Sequence, residues 1–520
     1  MKQIKNIISK TYKFIVYFIG LILFIAIIYF NLTSQQTSGI VATIITVVFI
    51  SIFLFVINKF IINKVSKKIN NIITIILLIL FLMLTVLSVK YFRVEYNWDF
   101  RYIMETAKQL YETNSTENLY YYKIYPNNIV TTAIAYIGMV IFRGEIGAYI
   151  INILFIFGAA VFTVLCARKI GKEQMGTNVA LLLVMLCPLY LYAPIVYSDT
   201  LSVMFPVMTL YFWLLAKENI KKSNIKKSIL FVILMIIAAF IGFLVKATSA
   251  IVLIAICIDW IFTFNRDIKY LLMVIILFII FNSIYNFLCT TFITKDEKKN
   301  NTVIPYTHWV MMGMNKPEEY GGTSIGWGAY SQNDVDATNQ KYTYEEKVEY
   351  NLQTIKERFL EYGLYGYLSF LKHKFIYVWT DPTFYVLNTI GWDTINKDSI
   401  PYDIVLNYDS GENKTFLTYM DGFYIILLLC ILAGIIYNIF NKDDSINKVL
   451  IMSVIGIAIF LLIWEARSRY LYNFLPILCL LAVIGIKNIQ QIKYKDIWKK
   501  IKRKEVNKYE KDITSNTNVL

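Results

Sequence analysis

Glu95 and Asp99 stand four residues apart in KYFRVEYNWDFRYIMETAKQLYETNSTENLYYYKIYPNN, residues 90–128. A tyrosine cluster (Tyr120, Tyr121, Tyr122), Lys123 and Pro126 follow in the same stretch. Residues four apart on a helix share one face, so the spacing predicts two carboxylates side by side just beyond an apolar run. Other unusual polar residues, Asp199, Lys246, Glu465, Arg467 and Arg469, also stand at the ends of apolar runs. Ionisable groups at membrane depth are expensive and mark candidate sites. A carboxylate suits removal of a proton from an attacking hydroxyl. Lysines and arginines suit a phosphate group and stabilise it as it leaves. Together these groups fit glycosyl transfer from a lipid-phosphate sugar.

Each residue also has a plainer reading. Asp99 can cap a helix that begins near Phe100. Glu95 can be a solvated partner of Arg93 or Arg101. Asp199 can cap the apolar run after YSDT, and Lys246 can snorkel to the headgroups. Arg467 and Arg469 can be interfacial anchors that pair with Glu465. His308, in PYTHWVMMGMN, can be a hydrogen-bonded loop residue.

The elements that position these residues are membrane spans. The chain has 520 residues, of which 57% are hydrophobic and 17% charged, against about 25% charged in soluble proteins. Apolar runs of about 20 residues recur, the mark of an all-α polytopic membrane protein. Twelve spans are expected, roughly at 14–31, 39–60, 70–89, 146–166, 177–194, 200–216, 228–245, 249–264, 270–291, 419–440, 449–464 and 470–486. The apolar stretch 129–142 is too short to cross comfortably and reads as a re-entrant or interfacial helix. With the N-terminus inside, the inner loops and both termini carry 30 of the 51 lysines and arginines, as the positive-inside rule asks. If 129–142 crossed, eight of those cations would turn outward. The net charge of +15 is therefore read as topology rather than as nucleic-acid binding. The organisation expected is two additional N-terminal spans (1–69), a core (70–291) with an outer loop at 90–145, a large outer segment (292–418), C-terminal spans (419–487) and a basic inner tail (488–520). The six cysteines form no CxxC pair and two histidines cannot make a histidine-rich centre, so neither a disulfide scaffold nor a zinc site is expected; no metal site is indicated, and the need for a divalent metal stays open.

Several short motifs resemble the GT-C glycosyltransferases, most nearly their protein O-mannosyltransferase and aminoarabinose-transferase branch. They are YNWDF after a span, YYKIYPNN before a short outer helix, YSDTLS, LVKATS and EARSRYLYNFLPIL. HWVMMGMN followed by GGTSIGWGAYS is similar to the outer loop of relatives acting on Gram-positive cell envelopes. The resemblance implies a polyprenyl-phosphate sugar as donor, Asp99 as the base and inversion at the sugar carbon. Glu95 would assist. Lys123, Lys246, Arg467 and Arg469 would hold the donor phosphate, and Asp199, Tyr122, His308 and Glu465 would meet the substrates. The segment 292–418, with Trp309, Trp327, Trp379 and Trp392, is expected to help select the acceptor. Two departures stand out: the additional N-terminal spans, and acids four apart where the family often pairs them.

The reading is an integral membrane glycosyltransferase on the outer face of the plasma membrane, serving a cell-envelope glycopolymer or glycolipid. Its rivals are a polysaccharide polymerase or ligase using a lipid-diphosphate oligosaccharide, and a lipid-linked sugar flippase. A flippase should show internal repeats and mid-membrane charges, which this chain does not clearly show.

Overall fold

The computed structural model describes residues 2–34, 39–263, 266–289, 291, 301–317, 319–320, 323–324, 326–441 and 445–491. The basic tail from 492 onward lies outside the described residues. Helices dominate, as the apolar runs predict. A small antiparallel hairpin, β1 (Glu319–Tyr320) with β2 (Thr323–Ser324), departs from a purely helical chain.

The chain opens with α1 (Lys2–Thr33), α2 (Ile40–Val56) and α3 (Lys67–Tyr91), the last capped by the Ser66 hydroxyl, which accepts from the Ile69 amide at 3.3 Å. The stretch after α3 holds α4 (Trp98–Thr113), α5 (Leu119–Ile124) and α6 (Ile129–Phe142). Then come α7 (Ile146–Met185), α8 (Pro188–Leu191), α9 (Ser198–Ser202), α10 (Met204–Lys221), α11 (Ile225–Val245), α12 (Ile251–Thr263) and α13 (Leu271–Cys289). The large segment between α13 and α19 carries α14 (Tyr306–Met312), α15 (Gln332–Asn339), α16 (Tyr344–Trp379), α17 (Val386–Gly391) and α18 (Ile400–Val405). Three more long helices follow, α19 (Gly411–Phe440), α20 (Ser445–Ile463) and α21 (Leu475–Gln491).

Among the described residues, ten helices are long and apolar enough to cross a membrane, against the twelve expected. The difference has two causes. The expected spans at 146–166 and 177–194 run together in α7, with a backbone break at Gly171 and Lys172 where the ARKIGKEQ loop was expected. The second of them ends early, at Met185, because Pro188 starts the short α8 instead. The expected span at 249–264 is a shorter apolar helix, 247–263 including its first 3-10 turn. The stretch 129–142 is also short. It folds back on α7 so closely that a Cβ on Gly138 would lie 2.6 Å from the Gly147 carbonyl oxygen.

Of the two N-terminal helices, α1 packs on α19 and α20, and α2 packs on α19. A fully buried carboxylate, Asp259 of α12, accepts from Ser445 at 2.6 Å and faces Lys448 at 3.6 Å, tying α12 to α20.

Candidate functional site

The opening of α4 sets the geometry. Asn97 is its N-cap and binds Asp393, in the turn after α17, through its side chain. Trp98 then adopts φ 37°, a left-handed value that a bulky residue holds only when its surroundings enforce it. Asp99 therefore falls in the first turn and does not cap the helix. One of its oxygens, Oδ2, accepts from the Tyr197 hydroxyl at 2.9 Å.

Tyr197 leads into α9, the YSDT stretch. Its amide donates to Thr200 Oγ1 at 3.3 Å, so threonine does the capping there. Asp199 is thus released for another role. It is wholly buried, with Oδ1 on the Lys246 ammonium and Oδ2 4.0 Å from Arg469 Nε. Lys246 ends α11 and lies 4.4 Å from the Tyr470 ring centre. The Arg469 guanidinium is boxed by Trp98 at 5.2 Å, Tyr470 at 5.4 Å and Tyr197 at 5.5 Å. Trp98 and Tyr197 thus join the Asp99 turn to the Asp199, Lys246 and Arg469 cluster.

The WEARSRY motif is knitted to the large segment between α13 and α19 through its backbone. Glu465 N donates to Trp309 O at 2.9 Å, and Ala466 N donates to Gly328 O at 2.8 Å. The HWVMMGMN and GWGAYS stretches therefore set the height of the arginines. Lys374 fastens the same joint by donating to Gly313 O at 2.6 Å, Trp464 O at 2.7 Å and Leu462 O at 3.2 Å. Glu465 is buried and accepts from Tyr470 at 2.8 Å.

A family described as conserved hypothetical integral membrane protein matches residues 1–490. The chain belongs to that family. No curated protein matches the sequence. Among solved structures, the chain is similar to the archaeal oligosaccharyltransferase AglB from Archaeoglobus fulgidus in complex with an inhibitory peptide and a dolichol-phosphate. That match has 12% identity and a TM-score of 0.43, and covers 81% of this chain and 50% of the other. The chain spans about half the length of that oligosaccharyltransferase. It is also similar to ArnT from Cupriavidus metallidurans bound to undecaprenyl phosphate, at 11% identity and a TM-score of 0.31, covering 82% of this chain and 78% of the other. Both are GT-C membrane glycosyltransferases.

Of the remaining candidates, Glu95 does not share a helix face with Asp99. It precedes α4, is exposed, and lies in an extended stretch where Val94 bridges Thr394 and its own amide donates to Asp393 O at 3.0 Å. Arg93 and Arg101 pair elsewhere, with Glu145 at 2.6 Å and Glu105 at 2.8 Å. Lys123 is half-buried in the last turn of α5. Tyr122 is a packing bolt whose hydroxyl meets Thr132 at 2.7 Å and donates to Tyr102 O at 3.2 Å. Its neighbour Tyr121 is the ring that faces Asp99. Burial, and then the Asp99 charge, push its phenol well above the usual range, so it remains a proton donor.

His308 is fully buried in a separate polar cluster, with Nδ1 2.8 Å from Thr338 Oγ1, which donates to Asn351 at 2.9 Å. Burial holds the imidazole neutral, pulled down to about 4. An unfolded histidine titrates near 6.5, so between pH 6.5 and 4 the unfolded chain binds the extra proton. The stability that this histidine contributes is then complete above pH 6.5 and falls by up to ~3 kcal/mol as pH drops to 4. His308→Asn is expected to flatten that acid limb in thermal melts recorded against pH. An acid limb unchanged by the substitution would refute this.

The sequence reading missed Asp381. It accepts from Thr383 Oγ1 at 2.6 Å, Thr383 N at 2.9 Å, Tyr385 N at 2.5 Å and Ser468 Oγ at 2.7 Å. These bonds hold Phe384 (φ 52°) and Tyr385 (φ 60°) in consecutive left-handed conformations. The Tyr385 ring is thereby set 5.1 Å from the Arg467 guanidinium. The Asp-Pro-Thr turn signal was legible; its partner Ser468 was not. Asp381→Ala is expected to cost about 2–3 kcal/mol, since hydrogen bonds to a charged group are the strong ones, and a calorimetric melt in detergent would check this. Among the described residues, no three His, Cys, Asp or Glu side chains gather at metal-binding distance.

Proposed function

We propose that this protein transfers a monosaccharide from a polyprenyl-phosphate donor to a hydroxyl of a cell-envelope glycopolymer or glycolipid, on the outer face of the plasma membrane. The observation that carries the reading is the Tyr197 bridge. One tyrosine donates to Asp99 and lies against Arg469, placing a carboxylate beside a buried group of cations. Asp99 takes the proton of the acceptor hydroxyl as that oxygen bonds to the sugar carbon. The bond from that carbon to the phosphate oxygen breaks, and its electron pair leaves with the phosphate. Attack from the face opposite the leaving group inverts the centre. Arg467, Arg469 and Lys246 meet the charge that grows on the leaving phosphate, with Lys123 contributing from α5. Asp199 keeps Lys246 and Arg469 from repelling one another while they wait.

The test is a donor panel with the purified protein in nanodiscs. A radiolabelled polyprenyl-phosphate hexose or pentose is expected to yield labelled polymer and free polyprenyl phosphate. Turnover only with a lipid-diphosphate oligosaccharide would replace this reading with a polymerase or ligase. Donor crossing sealed vesicles unconsumed would replace it with a flippase.

A further inference from the structure

Helix α16 has two unlike halves. Residues 344–362 carry eight charged side chains, whereas 363–379 carry two lysines, no acid and six aromatics. The division falls at Gly363, where the backbone leaves the helix with φ +57° and ψ 178°. Beyond that break, Leu364, Leu368, Leu371 and Phe375 recur at helical spacing on one stripe. Leu364 is 64% exposed and Leu368 54%, with Tyr365 beside them also exposed. The far end of the stripe is docked on the last turn of α1, one of the membrane-length helices. Phe375 meets Phe30 edge-on at 6.1 Å, Lys372 lies 5.9 Å from the same ring, and Asn31 donates to Trp379 O at 3.0 Å.

We infer that the second half of α16 is an interfacial helix whose leucine stripe is buried in the outer leaflet. The stripe is continuous with α1, whose Tyr29, Ile25 and Ile22 are exposed apolar side chains of a spanning helix. The same solvent that covers those residues therefore covers the stripe. Aromatic rings with flanking lysines and no acids are the composition of such a helix. Each leucine left in water forfeits the transfer free energy that lipid would supply. The break at Gly363 lets the charged half turn away and pack its inner face on α14 and α15, where Arg358 donates to Met311 O of α14 at 2.7 Å and pairs with Asp334 of α15 at 2.6 Å. The bilayer thereby holds the outer segment, and with it the Lys374 joint beneath the arginine loop, at a fixed height. The inference does not depend on the reaction catalysed.

The test uses the full chain in lipid nanodiscs, with nitroxide labels on L364C, L368C and, in the charged half, Q353C; the unsubstituted protein is carried through labelling as background. Power saturation should show Leu364→Cys and Leu368→Cys relaxed by oxygen and shielded from an aqueous nickel chelate. Gln353→Cys should show the reverse. Nickel access at 364 and 368 equal to that at 353 would overturn the inference. So would shielding from both reagents, which would mean that protein covers the stripe.

Discussion

Asp99→Asn is expected to insert and fold as the parent does and to lose sugar transfer by about a hundred- to ten-thousand-fold, the usual contribution of a positioned general base. The amide is nearly the shape of the carboxylate, and its oxygen can still accept from Tyr197, so the 2.9 Å bond and the helix start should survive. What disappears is the proton acceptor. Glu95 cannot take over, because it sits before the helix in the extended stretch paired with Asp393 and Thr394. Glu95→Gln should accordingly leave transfer near the parent rate. Tyr197→Phe should lie between, since it removes the hydrogen bond while leaving the ring against Arg469. Initial rates with a labelled polyprenyl-phosphate sugar, taken beside a circular-dichroism melt, measure all three. Asp99→Asn protein that turns over close to the parent rate would remove the base and with it the proposed mechanism.

The gathering of Asp99, Asp199, Lys246 and Arg469 was legible in the sequence because each stands where an apolar run ends. Alternation of runs and positive-inside charge put those ends on one leaflet. The cross-helix partners were not legible. Hydropathy says that Lys246 and Asp199 are both outside, yet nothing in LVKATS or YSDT says that one side chain reaches the other. The error over Glu95 has a local cause: the helix was expected to include it, but Asn97 takes the N-cap and residues 93–95 pair with 393–395 instead. That pairing joins residues some 300 apart in sequence, and no periodicity records it. Likewise His308 was grouped with the substrate contacts from its motif, while its neighbours Thr338 and Asn351 come from two other helices.

The second large effect concerns stability. Lys246→Met should destabilise the protein by about 3–5 kcal/mol, the cost of stranding one partner of a buried pair. Asp199 is wholly buried, and without the ammonium its nearest cation is Arg469 at 4.0 Å, too far for a hydrogen bond. Asp199→Asn should be costly for the converse reason, since it leaves Lys246 and Arg469 uncompensated against the same tyrosine. The double variant Asp199→Asn with Lys246→Met removes both charges and should recover most of the loss, giving a coupling term far outside additivity. A lysine that only reached for the lipid phosphate would behave differently: Lys246→Met would melt like the parent and merely weaken donor binding. Thermal melts of the two singles and the double in one detergent therefore decide whether Lys246 is structurally bound to Asp199, and donor saturation curves on the rescued double variant decide whether it also grips the phosphate. A restored melt with a raised donor KM assigns it both tasks; single variants that melt like the parent would show that the ion pair contributes nothing to holding α9 and α11 together.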